Sequence, residues 1–208
     1  MRKVILLFSV IPALCFGIVG CGGGGTKTST PPASSVPVIL TIQDQPPAGL
    51  TTLSFGIQIT GVSLQSSSGS SSDVSLLTTP ITVNLSNLQT VNSLLANTVA
   101  PAGTYSGITI TFAAPQVSVL NNTTGTLTDG ASGSCPVSTT APCSLSPALT
   151  SSTAMITSTP FPLTLTAGTP IQIALDFDSA DSLVNTAQVL SINPSVTVNQ
   201  HHRECHHQ

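Results

Sequence analysis

The chain has 208 residues, of which only 5% are charged, and a formal net charge of −3. From Thr28 to Gln200 there is no Lys, Arg, His or Glu. That absence excludes a nucleic-acid interface built on phosphate contacts, a P-loop or arginine-assisted phosphoryl-transfer site and a serine hydrolase with a histidine base.

The N-terminus has the three parts of a secretory signal. Arg2 and Lys3 are a basic start, Val4 to Val19 is apolar, and Ile18-Val19-Gly20-Cys21 fits a lipobox. The apolar run is shorter than the roughly 18 residues of a spanning helix, and Pro12 and Gly17 interrupt it. Residues 1–20 are therefore expected to be a signal peptide, with Cys15 removed along with it. By resemblance to bacterial lipoproteins, Cys21 would carry a diacylglyceryl thioether and an acylated amino group, with chains of the palmitate type. Each buried methylene contributes about 0.8 kcal/mol, so several chains anchor firmly. The expected location is the bacterial cell envelope. Gly22 after the lipidated cysteine points to the outer membrane if the cell has two membranes. Residues 21–35 hold Gly, Ser, Thr and Pro with one charge, Lys27. Such a segment cannot bury a core and reads as a flexible tether.

Residues 36–199 read as one domain of strands. Apolar residues alternate with Thr and Ser, the period-2 pattern of half-buried strands. The runs are Val38, Leu40, Ile42; Leu53, Phe55, Ile57, Ile59; Ile81, Val83, Leu85; Ile108, Ile110, Phe112; and Val117, Val119 after a bend at Pro115. They continue with Phe161, Leu163, Leu165; Ile171, Ile173, Leu175, Phe177; Val189 to Ile192; and Val196 to Val198. The phase flips between Ile59 and Val62, which predicts a bulge at Thr60-Gly61. Leu85, Leu88, Val91 and Leu95 have helical spacing and predict a short helix or turn between Ser86 and Asn97. Pro47-Ala48-Gly49, Pro101-Ala102-Gly103 and Ala167-Gly168 read as entries to hairpins. Many short strands with little helix give an all-β fold, a two-sheet antiparallel sandwich with one short helix. So few charges on its strand edges favour self-association.

In this order, Ile42-Gln43-Asp44-Gln45-Pro46-Pro47-Ala48, Ile57-Gln58-Ile59-Thr60-Gly61-Val62, Asn84-Leu85 with Leu88, and Pro101-Ala102-Gly103-Thr104-Tyr105 resemble an envelope lipoprotein family. It is the domain of unknown function four-three-eight-two. The resemblance covers roughly residues 36 to 198. The Pro-Ala-Gly-Thr-Tyr piece also resembles prealbumin-like (transthyretin-like) sandwich modules. The resemblance implies that fold and no known activity.

Cys135 and Cys143 flank a short stretch in a Gly/Ser-rich loop. Outside the cytoplasm they are expected to form a disulfide, giving a long disulfide-closed loop. Asp176, Asp178 and Asp181 end one strand and enter a turn. Clustered carboxylates suit calcium, while a polar strand edge with an Asx turn is the plainer reading. Asp44 would join them if its strand were adjacent. Residues 200–208 form a tail with His201, His202, Cys205, His206 and His207. Neutral imidazole and thiolate suit Zn or Cu; a terminus without a fixed scaffold is the alternative, and Cys205 would also serve to link two chains. Tyr105 is expected to be buried, with its hydroxyl bonded to backbone. The sequons at Asn121 and Asn122 carry little meaning behind a bacterial lipobox. The expected function is a membrane-anchored envelope lipoprotein with a non-catalytic, structural or binding sandwich. Its partners would be the membrane, envelope proteins or cell-wall polymers, not nucleic acid. A transition-metal-binding protein is the alternative, and an Asp-dependent glycan hydrolase the last.

Overall fold

The computed structural model describes residues 34–45, 50–68 and 72–202, with backbone alone at 201 and 202. Sixteen strands appear among them. They are β1 (Ser35–Gln45), β2 (Thr51–Ser66), β3 (Val74–Leu77), β4 (Ile81–Asn84), β5 (Ser93–Pro101), β6 (Gly103–Leu120), β7 (Leu127–Thr128) and β8 (Ser134–Cys135). Then follow β9 (Cys143–Leu145), β10 (Ala148–Leu149), β11 (Thr153–Ile156), β12 (Leu163–Leu165), β13 (Ile171–Asp178), β14 (Leu183–Thr186), β15 (Val189–Ile192) and β16 (Val196–His202).

Two sheets enclose the core. One has the order β16-β13-β1-β5. The other runs β11-β6-β2-β3, with β4 also on β2 and with β9 and β12 also on β6. The period-2 rows named above supply both inner faces: Val38, Leu40, Ile42, Phe55, Ile57, Ile59, Ile108, Ile110, Ile173, Leu175 and Phe177 are all buried. Phe177 of the first sheet meets Phe55 and Phe112 of the second edge-on, with ring centroids 5.8 Å apart in both pairs. Such pairs add about 0.5–1.5 kcal/mol each beyond their buried area. A smaller sheet, β10-β15-β7-β8 with β14 on β15, adds Leu127, Leu190 and Ile192 to the same core. The molecule is an all-β sandwich, and most ladders are antiparallel. Parallel pairing joins β1 to β13, β10 to β15 and β15 to β7.

The expected bulge is present, since the β2–β6 register shifts between Ile59 and Gly61. A second shift, between Thr52 and Ser54, turns Leu53 outward, so it leaves the row of Phe55 and is 51% exposed. Strand β6 passes through Pro115 by a third bulge, with Ala114 at φ 45°.

Of the short helix or turn expected between Ser86 and Asn97, only a turn is present. Leu85–Asn87 is one 3-10 turn, and from Ser93 the chain pairs with β1 as strand β5. Leu85, Leu88 and Leu95 are buried but Val91 is exposed; the open edge of β1 outweighed the helical spacing. The α-helical turn falls instead at Ser179–Ser182 (α1), capped by Asp178. The hairpin entries are also corrected. Pro101-Ala102-Gly103 joins β5 to β6, and Ala167-Gly168 lies between β12 and β13. Each of these pairs belongs to different sheets, so both turns are corners that change sheet. Gly168 makes its corner at φ 74°, a conformation that glycine adopts without strain, and donates to Ser35 O. Residues 47–49 lie outside the described residues.

Candidate functional site

The inner row of β1 runs Val38, Leu40, Ile42 and then, two residues on, Asp44. A carboxylate thus occupies the last core position of a strand. Strand β5 pairs with β1 only as far as Ile42, opposite Ser93. Residues 43–45 therefore have β13 on one side and the loop 88–92 on the other. That loop is tied to β1 by Asp44 N donating to Leu88 O (3.2 Å). Between them lies a surface cleft of about 380 Å³, lined by residues 43–45, 88–92 and Asp176.

Parallel pairing with β13 puts Gln43 opposite Asp176, Asp44 opposite Phe177 and Gln45 opposite Asp178. Asp44 is 6% exposed. Its Oδ1 accepts from Ser179 Oγ at 2.5 Å, while Oδ2 has no hydrogen-bond partner among the described residues. Burial raises its pKa from 3.8 to about 6; the Ser179 bonds oppose the shift, and the charges of Asp178 and Asp176 add to it.

The three C-terminal aspartates are divided between separate tasks. Asp178 Oδ1 accepts the Asp181 amide (3.0 Å) as cap of α1, Asp181 is exposed, and Asp176 lines the cleft. Among the described residues no group of three or more His, Cys, Asp or Glu is placed to hold a metal. At this point the structure shows a helix N-cap made by Asp178. Asp44 and Asp176 share the cleft, but they come from neighbouring strands of one sheet and not from opposing walls. Among the described residues no aromatic side chain lines it.

Cys135 and Cys143 form the disulfide, with Cα atoms 5.6 Å apart. Two polar side chains that the sequence reading passed over organise the same loop. Asn121 is fully buried and donates to Gly125 O (2.8 Å) and Cys135 O (2.7 Å). Asp129 Oδ1 accepts from the amides of Ala131 and Gly133, and Oδ2 from that of Ser146, at 2.9–3.1 Å. These bonds, that of Ala131 first, hold its carboxyl below the usual carboxylate range. The signal was present as Asp129-Gly130 followed by Gly133, an Asx-turn pattern. Tyr105 is buried and donates to Pro101 O at 2.8 Å.

Strand β16 reaches into the tail, pairing His201 with Gln172 and His202 with Ile171. Cys21, Cys205, His206 and His207 lie outside the described residues. Among the described residues no helix is long and apolar enough to cross a membrane.

One family model matches, Domain of unknown function (DUF4382), over residues 35–194. No curated protein and no solved structure matches.

Proposed function

The chain belongs to the DUF4382 family, and from that premise we propose that it is a membrane-anchored envelope lipoprotein whose sandwich binds a ligand without transforming it. The observation that carries the anchoring is the order of parts. The lipobox cysteine, Cys21, and a Gly/Ser/Thr/Pro tether come first, and the paired strands begin at Ser35. A domain so placed would be held close to a lipid surface. A non-catalytic role is supported by composition: between Thr28 and Gln200 the ionisable acids are Asp44, Asp73, Asp129, Asp176, Asp178 and Asp181, and the same stretch holds no Lys, Arg or His. The ligand surface we assign is the cleft at the end of β1. Its partners are then envelope proteins or cell-wall polymers, and the location is the outer membrane where the cell has two.

The test is metabolic labelling with a palmitate analogue, followed by fractionation. The wild type is expected to carry label and to sediment with membranes. Cys21→Ala should lose the label and remain as an unprocessed precursor. Equal labelling of both would overturn the anchoring.

A second reading, an envelope metal-binding protein, is favoured by one observation. His201 and His202 sit on a paired strand, so the first part of the tail has a scaffold. Deleting residues 203–208 should lower zinc or copper affinity at least about tenfold, since each lost ligand weakens a site by that order or more; unchanged affinity would end this reading.

A further inference from the structure

We propose that Met155 is a site of oxidation to the sulfoxide by hydroperoxides, and that Gln65 selects which of the two sulfoxide epimers forms. This goes beyond the envelope reading above and does not depend on it.

Three observations carry it. The first is access. Met155 is the only methionine besides Met1. It is 64% exposed on β11, the last strand of its sheet, whereas the sulfurs of Cys135 and Cys143 are already joined to each other. The second is a donor aimed at the sulfur: Gln65 Nε2 donates to Met155 Sδ at 3.1 Å. A thioether is a weak acceptor, so an amide that points at it, with water close by, is held there by its other contacts. The third observation is what holds it. The same Nε2 donates to Thr109 Oγ1 at 2.9 Å, and Thr109 stands opposite Met155 in the β6–β11 ladder. Gln65 itself stands opposite Gly107 of β6, where a Cβ would come within 3.1 Å of its Oε1. The bare glycine leaves room for the amide to cross β6 and reach the edge strand.

The chemistry follows from the two lone pairs of the sulfur. One lone pair attacks an oxygen of hydrogen peroxide. An S–O bond forms and the O–O bond breaks. The proton on the transferred oxygen passes to the departing hydroxide, which leaves as water. Sulfur is oxidised by two electrons and the peroxide is reduced by two. Attack through one lone pair gives one configuration at sulfur, and attack through the other gives its epimer. The Gln65 N–H occupies one of them, so oxidation runs through the other, which faces solvent. The product puts a polar S=O on the outer face of an edge strand in place of exposed apolar surface.

The experiment treats the purified full chain in detergent with hydrogen peroxide and digests it with pepsin. The peptide that holds Met155 is then followed by mass spectrometry. The two methionine sulfoxide reductases, each specific for one epimer, are applied to the digest, so that access within the fold plays no part. The peptide is expected to gain one oxygen, with one epimer in excess at least about threefold, the ratio set by a net hydrogen bond of ordinary strength. The excess should vanish when the chain is oxidised in urea. Gln65→Leu removes the donor and should abolish it; Thr109→Val frees the amide and should reduce it. Circular dichroism checks that each variant keeps its strands. A Met155 peptide that stays unoxidised while free methionine is consumed would overturn the site. Equal epimers in the folded wild type, an excess that persists in urea, or one that either variant leaves unchanged would overturn the selection by Gln65. None of these outcomes depends on palmitate labelling, so failure here is distinct from failure of the anchoring.

Discussion

Asp129 and Asp44 are equally buried, each 6% exposed, yet their carboxyls are driven in opposite directions. In the disulfide loop, three backbone amides point at Asp129 and both of its oxygens are occupied. At the end of β1, Ser179 serves one oxygen of Asp44 and, among the described residues, no donor serves the other. Burial alone thus does not decide the protonation state. The donors gathered around the group do. The loop uses its carboxylate as a hub, and a side chain at residue 133 would collide with it: a Cβ added to Gly133 meets Asp129 Oδ2. The sheet end keeps a carboxyl whose hydrogen bonding among the described residues is incomplete, so there burial prevails over the donors.

The largest expected effect is the pH dependence of stability. Asp44 has a folded pKa of about 6 against 3.8, so the folded chain holds the extra proton between those values. Its contribution is most favourable below pH 3.8 and is lost as pH rises to 6. The displacement is worth roughly 3 kcal/mol at about 1.4 kcal/mol per pH unit. Asp44→Asn should therefore stabilise the protein by up to about 3 kcal/mol above pH 6 and leave it nearly unchanged at pH 4, measured by urea unfolding. Asp129 has the opposite sign. Its depressed pKa adds stability above the ordinary carboxylate range that disappears on acidification, so Asp129→Asn should destabilise at pH 7 and converge on wild type in acid. Parallel pH curves for the two variants would break the comparison.

Next in size is the loop's covalent tie. Replacing Cys135 and Cys143 by Ser releases a short closed loop and should cost about 2.5 kcal/mol. The amides of Ala131 and Gly133 come from the same excursion as the disulfide, so the Asp129 carboxyl should titrate closer to its ordinary value in this variant, as read by carbon NMR. A smaller effect is expected at Ser179. Ser179→Ala removes the bond to Asp44 and should cost about 1–2 kcal/mol above pH 6, where the acceptor is charged, and less below it.

The strands were legible because period-2 alternation is local: Leu40, Ile57, Ile110 and Ile173 each lie on a face that a few neighbours already declare. The bulge at Gly61 was readable for the same reason, as a change of phase. Tyr105 followed from its corner. The relation of Asp44 to Asp176 was not readable, because it depends on a parallel register between strands more than a hundred residues apart, and alternation specifies a face but no partner. The segment between Ser86 and Asn97 was only partly legible, for a related reason. Leu88, Val91 and Leu95 have a helical period, but the unfilled edge of β1 drew the chain into β5, and a bulge there left Leu95 buried out of phase. Asp129 and Asn121 were missed because their importance lies in backbone amides, which a list of side chains does not display.

The most direct measurement is a carbon-13 NMR titration of the Asp44 carboxyl in the full chain, assigned through Asp44→Asn. A midpoint near pH 6 is expected. A midpoint at or below the ordinary aspartate value would contradict the account of the sheet end as a carboxyl whose burial outweighs its hydrogen bonds.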